Sequence, residues 1–322
     1  MLRSDLEGKQ KVKSPSYHLR PNKSVDRLAL IEAIRYLEKT NNISEYTYYG
    51  LGGPYLEDFR LLYEFCPGIK MVSIEENPEV FKRQNFHLPC GSIKLERSTT
   101  DTFLTNYQAK GKKSIFWLDY TGFEYKHIEE YMALLSKVTA GSMVKITLRA
   151  EPKDYIDKGD NFRKMFESIM PDSSVDPPRV IGEYAKLIQD MIQIATQRAL
   201  SGAMPNAFQP LSSFYYSDGT GIFTITGMVC LREDVDIIKS TYKDWRLANL
   251  NWNNPKKIDI PILSTKERLL LQRHLPSTKN TGELLLDTLG YLIDENREKT
   301  VDQLEQYSEF HRYSPYFMRA TP

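Results

Sequence analysis

Between Tyr46 and Ala150, five short apolar runs are separated by four amphipathic stretches, which restricts this part of the chain to a parallel sheet covered by helices. The runs are YTYYGLGG, IKMVSIEE, SIKLER, SIFWLDY and GSMVKITLRA. The stretches between them, PYLEDFRLLYEF, NPEVFKRQNFHL, TTDTFLTNYQ and KHIEEYMALLSKV, carry apolar residues at helical spacing. Segments such as MVSI and IFWL are almost continuously apolar, as strands are when crossover helices cover both faces of their sheet.

The flanks refine this reading. NKSVDRLALIEAIRYLEKT predicts a lead-in helix with Asn22 or Ser24 as N-cap. From Glu151 to about Pro178 the chain is polar and the pattern breaks. An amphipathic helix from Gly182 to Leu200 then reads as a helical insertion, covering about residues 151–206. QPLSSFYYSDGTGIFTITGMVCLRE reads as two antiparallel strands joined at Ser217-Asp218-Gly219-Thr220, a turn rich in residues that tolerate positive φ. Beyond Arg232 the chain is expected to be helical, with capping-box spacing at Ser264/Glu267 and Thr300/Gln303. The expected fold is thus α/β: a Rossmann-like, doubly wound, mostly parallel sheet ending in an antiparallel hairpin, with a helical insertion and a helical C-terminal appendage. The corresponding divisions are an arm and lead-in helix over 1–45, the sheet domain over 46–232 and the appendage over 233–322. A homodimer or partner contact through the C-terminal helices, including the aromatic SPYFM, fits this layout.

Composition excludes several classes. With 41% hydrophobic and 26% charged residues the chain has the usage of a globular protein. No apolar run approaches the roughly 18 to 20 residues of a membrane span, and the N-terminus lacks the apolar core of a signal peptide, so a cytoplasmic address is expected. Cys66, Cys90 and Cys230 are widely spaced, without a CxxC or a His-rich neighbour, and read as buried thiols; no metal site is expected. A net charge of +1 offers no global field for nucleic acid, although the first 27 residues form a locally basic arm.

Four places carry chemistry. Gly50-Leu51-Gly52-Gly53 closes the first strand and opens a helix, where glycine lets the backbone approach a ligand. Tyr55 stands where a dinucleotide fingerprint would have its third glycine. Glu75, with Glu76 beside it, ends the second strand, which in a doubly wound sheet places a carboxylate where ribose hydroxyls can donate to it. Thr100 and Asp101 follow the third strand, either as acceptors for an adenine amino group or, with Ser98 and Thr99, as the start of a helix. Asp119 and Tyr120 emerge at the carboxyl end of the buried fourth strand, ahead of the loop Thr121-Gly122-Phe123.

On these residues the chain resembles class I S-adenosylmethionine-dependent methyltransferases. YYGLGG is similar to their glycine motif, SIEENPEVFKRQNF to their acidic motif and FWLDYTGF to the motif after strand four, and the resemblance extends from Tyr46 to Arg232 with the terminal hairpin. SYHLRPNKSVDR resembles a bacterial group of O-methyltransferase type. The resemblance implies S-adenosylmethionine as cofactor, held by Gly50, Leu51, Gly52, Gly53, Glu75, Glu76, Thr100, Asp101 and Asp119. It places Asp119 and Tyr120 at the methyl-transfer position, with Asp119 as candidate base, and Tyr17, His18, Arg20 and Phe123 around the acceptor. Two departures stand out. Tyr48 occupies the position where the family often has an acid, and LDYTGF lacks the prolines of the DNA amino-methyltransferase loop.

Three functions remain open at this level: methyl transfer to an oxygen or nitrogen of a small molecule, nucleic acid or protein; hydride transfer with a nicotinamide cofactor, disfavoured by Tyr55 and the hairpin; and a catalytically silent nucleotide-binding or partner-binding module.

Overall fold

The computed structural model of the chain describes residues 20–171, 178–202, 205–277 and 281–314. Its centre is one eight-stranded sheet in the order β3-β2-β1-β4-β5-β7-β6-β8. The five strands foreseen from the apolar runs are β1 (Thr47–Gly50), β2 (Lys70–Ile74), β3 (Ile93–Glu96), β4 (Ser114–Asp119) and β5 (Ser142–Arg149), and they pair in parallel. β6 (Asn206–Ser217) and β7 (Gly221–Leu231) form the expected hairpin, with β7 antiparallel to β5. β8 (Lys256–Lys257) was not foreseen; this short strand brings the segment after the hairpin back onto β6. The Rossmann-like reading of the fold therefore holds.

Alternation along each strand sorts side chains between two cores. In β4, Ile115 and Trp117 face one core together with α1 (Pro21–Leu37) and α2 (Glu57–Phe65). Phe116 and Leu118 face the other with α5 (Tyr125–Lys137) and α8 (Ile181–Ser201). The helix expected from Gly182 to Leu200 is thus a member of the helix layer, packed on α5 and on the hairpin. α3 (Pro78–Phe86) and α4 (Thr100–Asn106) complete the crossovers.

The polar stretch after β5 contains two helices that its composition hides, α6 (Pro152–Lys158) and α7 (Asp160–Met165), separated by Gly159 at φ 47°. They are too short to show a period, yet Tyr155, Phe162 and Phe166 bury against α8. The C-terminal part comprises α9 (Val235–Tyr242), α10 (Thr265–Gln272), α11 (Thr281–Leu289) and α12 (Arg297–Phe310), the last three sharing a leucine-rich core of their own.

Local chemistry corrects two cap assignments and bears out a third. α1 starts at Pro21, whose missing N–H suits the first turn, and Asn22 bonds to the hairpin turn rather than capping. Ser264 and Glu267 do form their capping box. Thr300 does not cap α12: Asn296 accepts from the Lys299 N–H, and the buried Thr300 hydroxyl accepts from the Ile293 and Asp294 N–H groups. Of the three thiols, Cys66 and Cys230 are buried, and burial pushes them up to about 12 and about 11, whereas Cys90 is only half-buried.

Candidate functional site

A cleft of about 890 Å³ opens at the carboxyl ends of β1, β2 and β4, within the size range of small-molecule sites. The strand order reverses direction between β1 and β4, and such a switch point leaves a crevice because the two crossovers diverge to opposite faces.

The glycine turn contributes in two ways. Leu51 and Gly53 line the cleft. Gly50 and Gly52, expected to face the cofactor, do not line it; they permit the close packing that shapes the turn. A Cβ on Gly50 would lie 2.7 Å from the Tyr48 hydroxyl, and one on Gly52 would lie 2.6 Å from Phe59 and 2.8 Å from the Ser73 hydroxyl. Beneath the turn, the fully buried Gln84 donates to the Gly52 carbonyl and accepts from Ser73.

Glu75 and Glu76 line the cleft at the tip of β2. The Asn77 N–H donates to Glu75 Oε1 at 2.7 Å and fixes the side chain, while desolvation raises its carboxyl above the usual range. Ser98, Thr100 and Asp101 also line the cleft. Thr99 takes the helix-cap role by accepting from the Thr102 N–H at 3.1 Å, which leaves Thr100 and Asp101 at the wall.

Asp119 and Tyr120 face the cleft too, in settings the sequence did not disclose. Lys23 reaches from the first turn of α1 and places Nζ 2.6 Å from both Asp119 oxygens. The lysine side chain is only 7% exposed, so the ion pair is largely shielded from water. Asp119, the candidate base, is thus held in an ion pair with Lys23. The Tyr120 hydroxyl donates to Glu130 on α5, and its ring stacks on His127 at 4.1 Å. The Glu124 N–H donates to His127 Nδ1 at 3.2 Å, so the neutral ring carries its proton on Nε2, and burial pulls its pKa down to about 4. Burial also raises the Glu130 carboxyl, and the nearby charges of Asp101 and Glu76 add to the effect.

The lead-in helix supplies the polar residues that sequence reasoning missed. Asp26 and Lys145, both fully buried, pair at 2.6 Å, and Tyr216 donates to the same carboxylate. Lys23 and Lys145 both lie over the Trp117 ring, at 5.4 and 4.9 Å from its centroid. Arg27 contacts Glu57 at 2.6 Å beside the cleft, and Arg20 lines the cleft as well. The signal was present as charged residues at helical spacing, Lys23, Asp26 and Arg27, on the side of α1 that should have been apolar.

Tyr48 is fully buried, and its hydroxyl donates to Asp58 on α2, which lines the cleft. Desolvation raises the Asp58 carboxyl, while Tyr48 and Arg27 oppose the rise. Phe123, expected to cover an acceptor, is instead 5% exposed in an aromatic core, stacked on Phe166 at 4.7 Å. Tyr17 and His18 lie outside the described residues. Among the described residues no group of three or more His, Cys, Asp or Glu side chains could hold a metal ion, and no helix is long and apolar enough to cross a membrane.

Comparison with known proteins places the chain in context. Residues 15–322 match the model of a family described as "Putative O-methyltransferase". No curated protein sequence matches. Among solved structures, the plantazolicin methyltransferase BpumL in complex with SAH and a triazolic desmethylPZN analog is similar at 11% identity and a TM-score of 0.41, over 68% of this chain and 87% of that one. The N-methyltransferase NodS from Bradyrhizobium japonicum WM9 is similar at 10% identity and a TM-score of 0.38, over 64% and 97%. LepI in complex with SAM is similar at 10% identity and a TM-score of 0.37, over 61% of this chain and 46% of that one, so the chain spans less than half of LepI's length.

Proposed function

The chain belongs to the Putative O-methyltransferase family, and from that premise we propose that its cleft binds S-adenosylmethionine and transfers the methyl group to an oxygen or nitrogen nucleophile. The observation that carries the reading is Glu75. A desolvated carboxylate is anchored by one backbone N–H at the tip of β2, beside the Leu51–Gly53 turn that follows the neighbouring β1, where paired ribose hydroxyls can donate to it. Leu51, Gly53, Glu75 and Glu76 would hold the sugar side of the cofactor, and Thr100 and Asp101 the base. When bound, the cofactor supplies a methyl group already activated for transfer, so the protein's task is alignment.

The residues bordering the other end suit that task. Lys23 fixes Asp119 through contacts to both its oxygens, so Asp119 accepts a hydrogen bond from an acceptor and orients it. The Tyr120–Glu130 bond and the Nε2–H tautomer of His127 add a fixed acceptor and a fixed donor. Among the described lining residues eight carboxylates face three cationic side chains, which favours a neutral or cationic acceptor over a polyanion such as nucleic acid.

Calorimetric titration with S-adenosylhomocysteine and with NAD tests the reading. We expect binding of the former alone, weakened at least about tenfold in Glu75→Gln, which loses the charge that strengthens the hydroxyl hydrogen bonds. Equal binding of both ligands, or an unchanged affinity in Glu75→Gln, would overturn it.

A further inference from the structure

Resting on the acceptor-orienting role proposed for Asp119, we infer that Asp218, at the tip of the β6–β7 hairpin, is a positioning residue for the acceptor end of the cleft: it caps α1 from outside the helix and so holds Lys23 on Asp119. The first turn of α1 has no cap of its own. Pro21 has no N–H to satisfy, and Arg20, at the N-cap, makes no side-chain capping bond. The N–H groups of Asn22 and Lys23 donate instead to Asp218, at 3.4 Å to Oδ1 and 2.9 Å to Oδ2. A Ser, Thr, Asp or Asn at the N-cap itself would serve helix stability alone. Arg20 stands there and lines the cleft, so the capping carboxylate comes from the hairpin, 196 residues beyond Asn22.

Asn22 gathers further bonds around the same point. Its side-chain amide donates to Asp218 Oδ1 at 3.0 Å and to the Ser217 carbonyl at 3.1 Å, and its Oδ1 accepts from the Ile260 N–H at 2.8 Å. The hairpin tip is fixed in turn. Gly219, at φ 88°, lets the chain reverse. The Gly221 N–H donates to Glu151, and the Gly221 carbonyl accepts from the Ala150 N–H at 2.7 Å, just past β5. One turn further along α1, Tyr216 of the same hairpin donates to Asp26. The hairpin is thus the frame against which the start of α1 is set.

Lys23 carries this placement to the cleft. Its main-chain N–H rests on Asp218, while its Nζ lies 2.6 Å from both oxygens of Asp119. A lysine head sits on a flexible four-carbon stem, and holding it on two oxygens costs least when the backbone that bears it is already fixed. Asp218 therefore acts on the orientation of Asp119 without lining the cleft itself.

The ammonium signals of Lys23 and Lys145, followed by NMR in the isotope-labelled full chain, test this, because a shielded, ion-paired ammonium exchanges its protons slowly with water. In Asp218→Ala all three α1 donors lose their acceptor. In Asp218→Asn one of them faces an NH2 group whichever way the amide turns. The Lys23 ammonium should exchange roughly five- to thirtyfold faster in Asp218→Ala, the shift that loss of one cap sets on a local opening. Asp218→Asn should give a smaller acceleration, and it decides the matter if Asp218→Ala fails to fold. Lys145, held by the buried Asp26, should keep its wild-type rate in both. Unchanged Lys23 exchange would overturn the inference. So would equal acceleration at Lys23 and Lys145, which is what a purely structural contribution to the whole helix produces. Failure of the wild-type protein to bind S-adenosylhomocysteine would instead overturn the cofactor reading, and with it the part of the Lys23–Asp119 pair in transfer, whatever the ammonium signals do.

Discussion

Asp119 and Lys23 show how strongly one contact can redefine a residue. Read along the chain, Asp119 is a carboxylate at the mouth of a buried strand; in the fold it is one half of a shielded ion pair. Removing one member of such a pair leaves the other charge uncompensated, so Asp119→Ala should destabilise the protein by about 3 to 5 kcal/mol. The double variant Lys23→Met/Asp119→Leu should cost clearly less than the sum of its singles in a double-mutant cycle by urea denaturation. Additive costs would show that the pair is not coupled. Gly52→Ala tests the neighbouring turn. The added methyl would meet Phe59, Ser73 and Leu56 within 2.9 Å, so the variant should lose stability by about 1 to 3 kcal/mol and weaken nucleoside binding. A neutral outcome in both melting and calorimetry would refute the packing role.

Among the elements, α1 has more consequence than its place ahead of the sheet suggests. One side seats Val25, Ala29, Leu30, Ile31, Ile34 and Leu37 in the core shared with β1 and α2. Its first two turns bring Lys23, Asp26 and Arg27 to three separate carboxylate or ammonium partners. The helix is further tied to the C-terminal part, where the Tyr242 hydroxyl donates to the Ala33 carbonyl at 2.9 Å and the Trp245 indole to Glu32 at 2.6 Å. A chain starting at Asn41 should therefore lack a cooperative thermal transition, because it exposes this core and strands Lys145 without Asp26. Circular dichroism melting showing a sharp transition near that of the full chain would contradict the integration of α1. A composition-based division that places residues 1–45 outside the sheet domain cannot see this, since helix amphipathicity states that a face is buried but not against what.

At the scale of the whole molecule, protonation of the cleft region couples to stability. Burial holds the His127 pKa at about 4, against roughly 6.5 in an unfolded chain. Between those values the unfolded state takes up a proton that the folded state refuses. His127 thus has no effect above about pH 6.5 and becomes progressively unfavourable as the pH falls toward 4. Asp58, Glu75 and Glu130 act in the opposite sense, because their carboxyls are raised and the folded state binds their protons first. Comparison with His127→Gln isolates the histidine. Relative to wild type, the variant should gain up to about 3 kcal/mol between pH 7 and pH 4 in denaturant melts. A pH-independent difference would show that the ring is not held neutral.

The five parallel strands, the hairpin and the cleft's place at the carboxyl edge were legible in the chain, as were Glu75, Thr100, Asp101, Asp119 and Tyr120 as wall residues. All depend on short-range chemistry: a period of two or 3.6, a glycine turn, a carboxylate at a strand end. Lys23 on Asp119, Asp26 on Lys145, Tyr48 on Asp58 and the burial of Phe123 join residues 10 to 119 positions apart, or elements that meet only when the sheet closes. No local pattern encodes which charge will face which once water is excluded. Local periodicity therefore decided the architecture and the edge at which chemistry is done, while close packing across the switch point decided which of the edge residues are available and which are already paired.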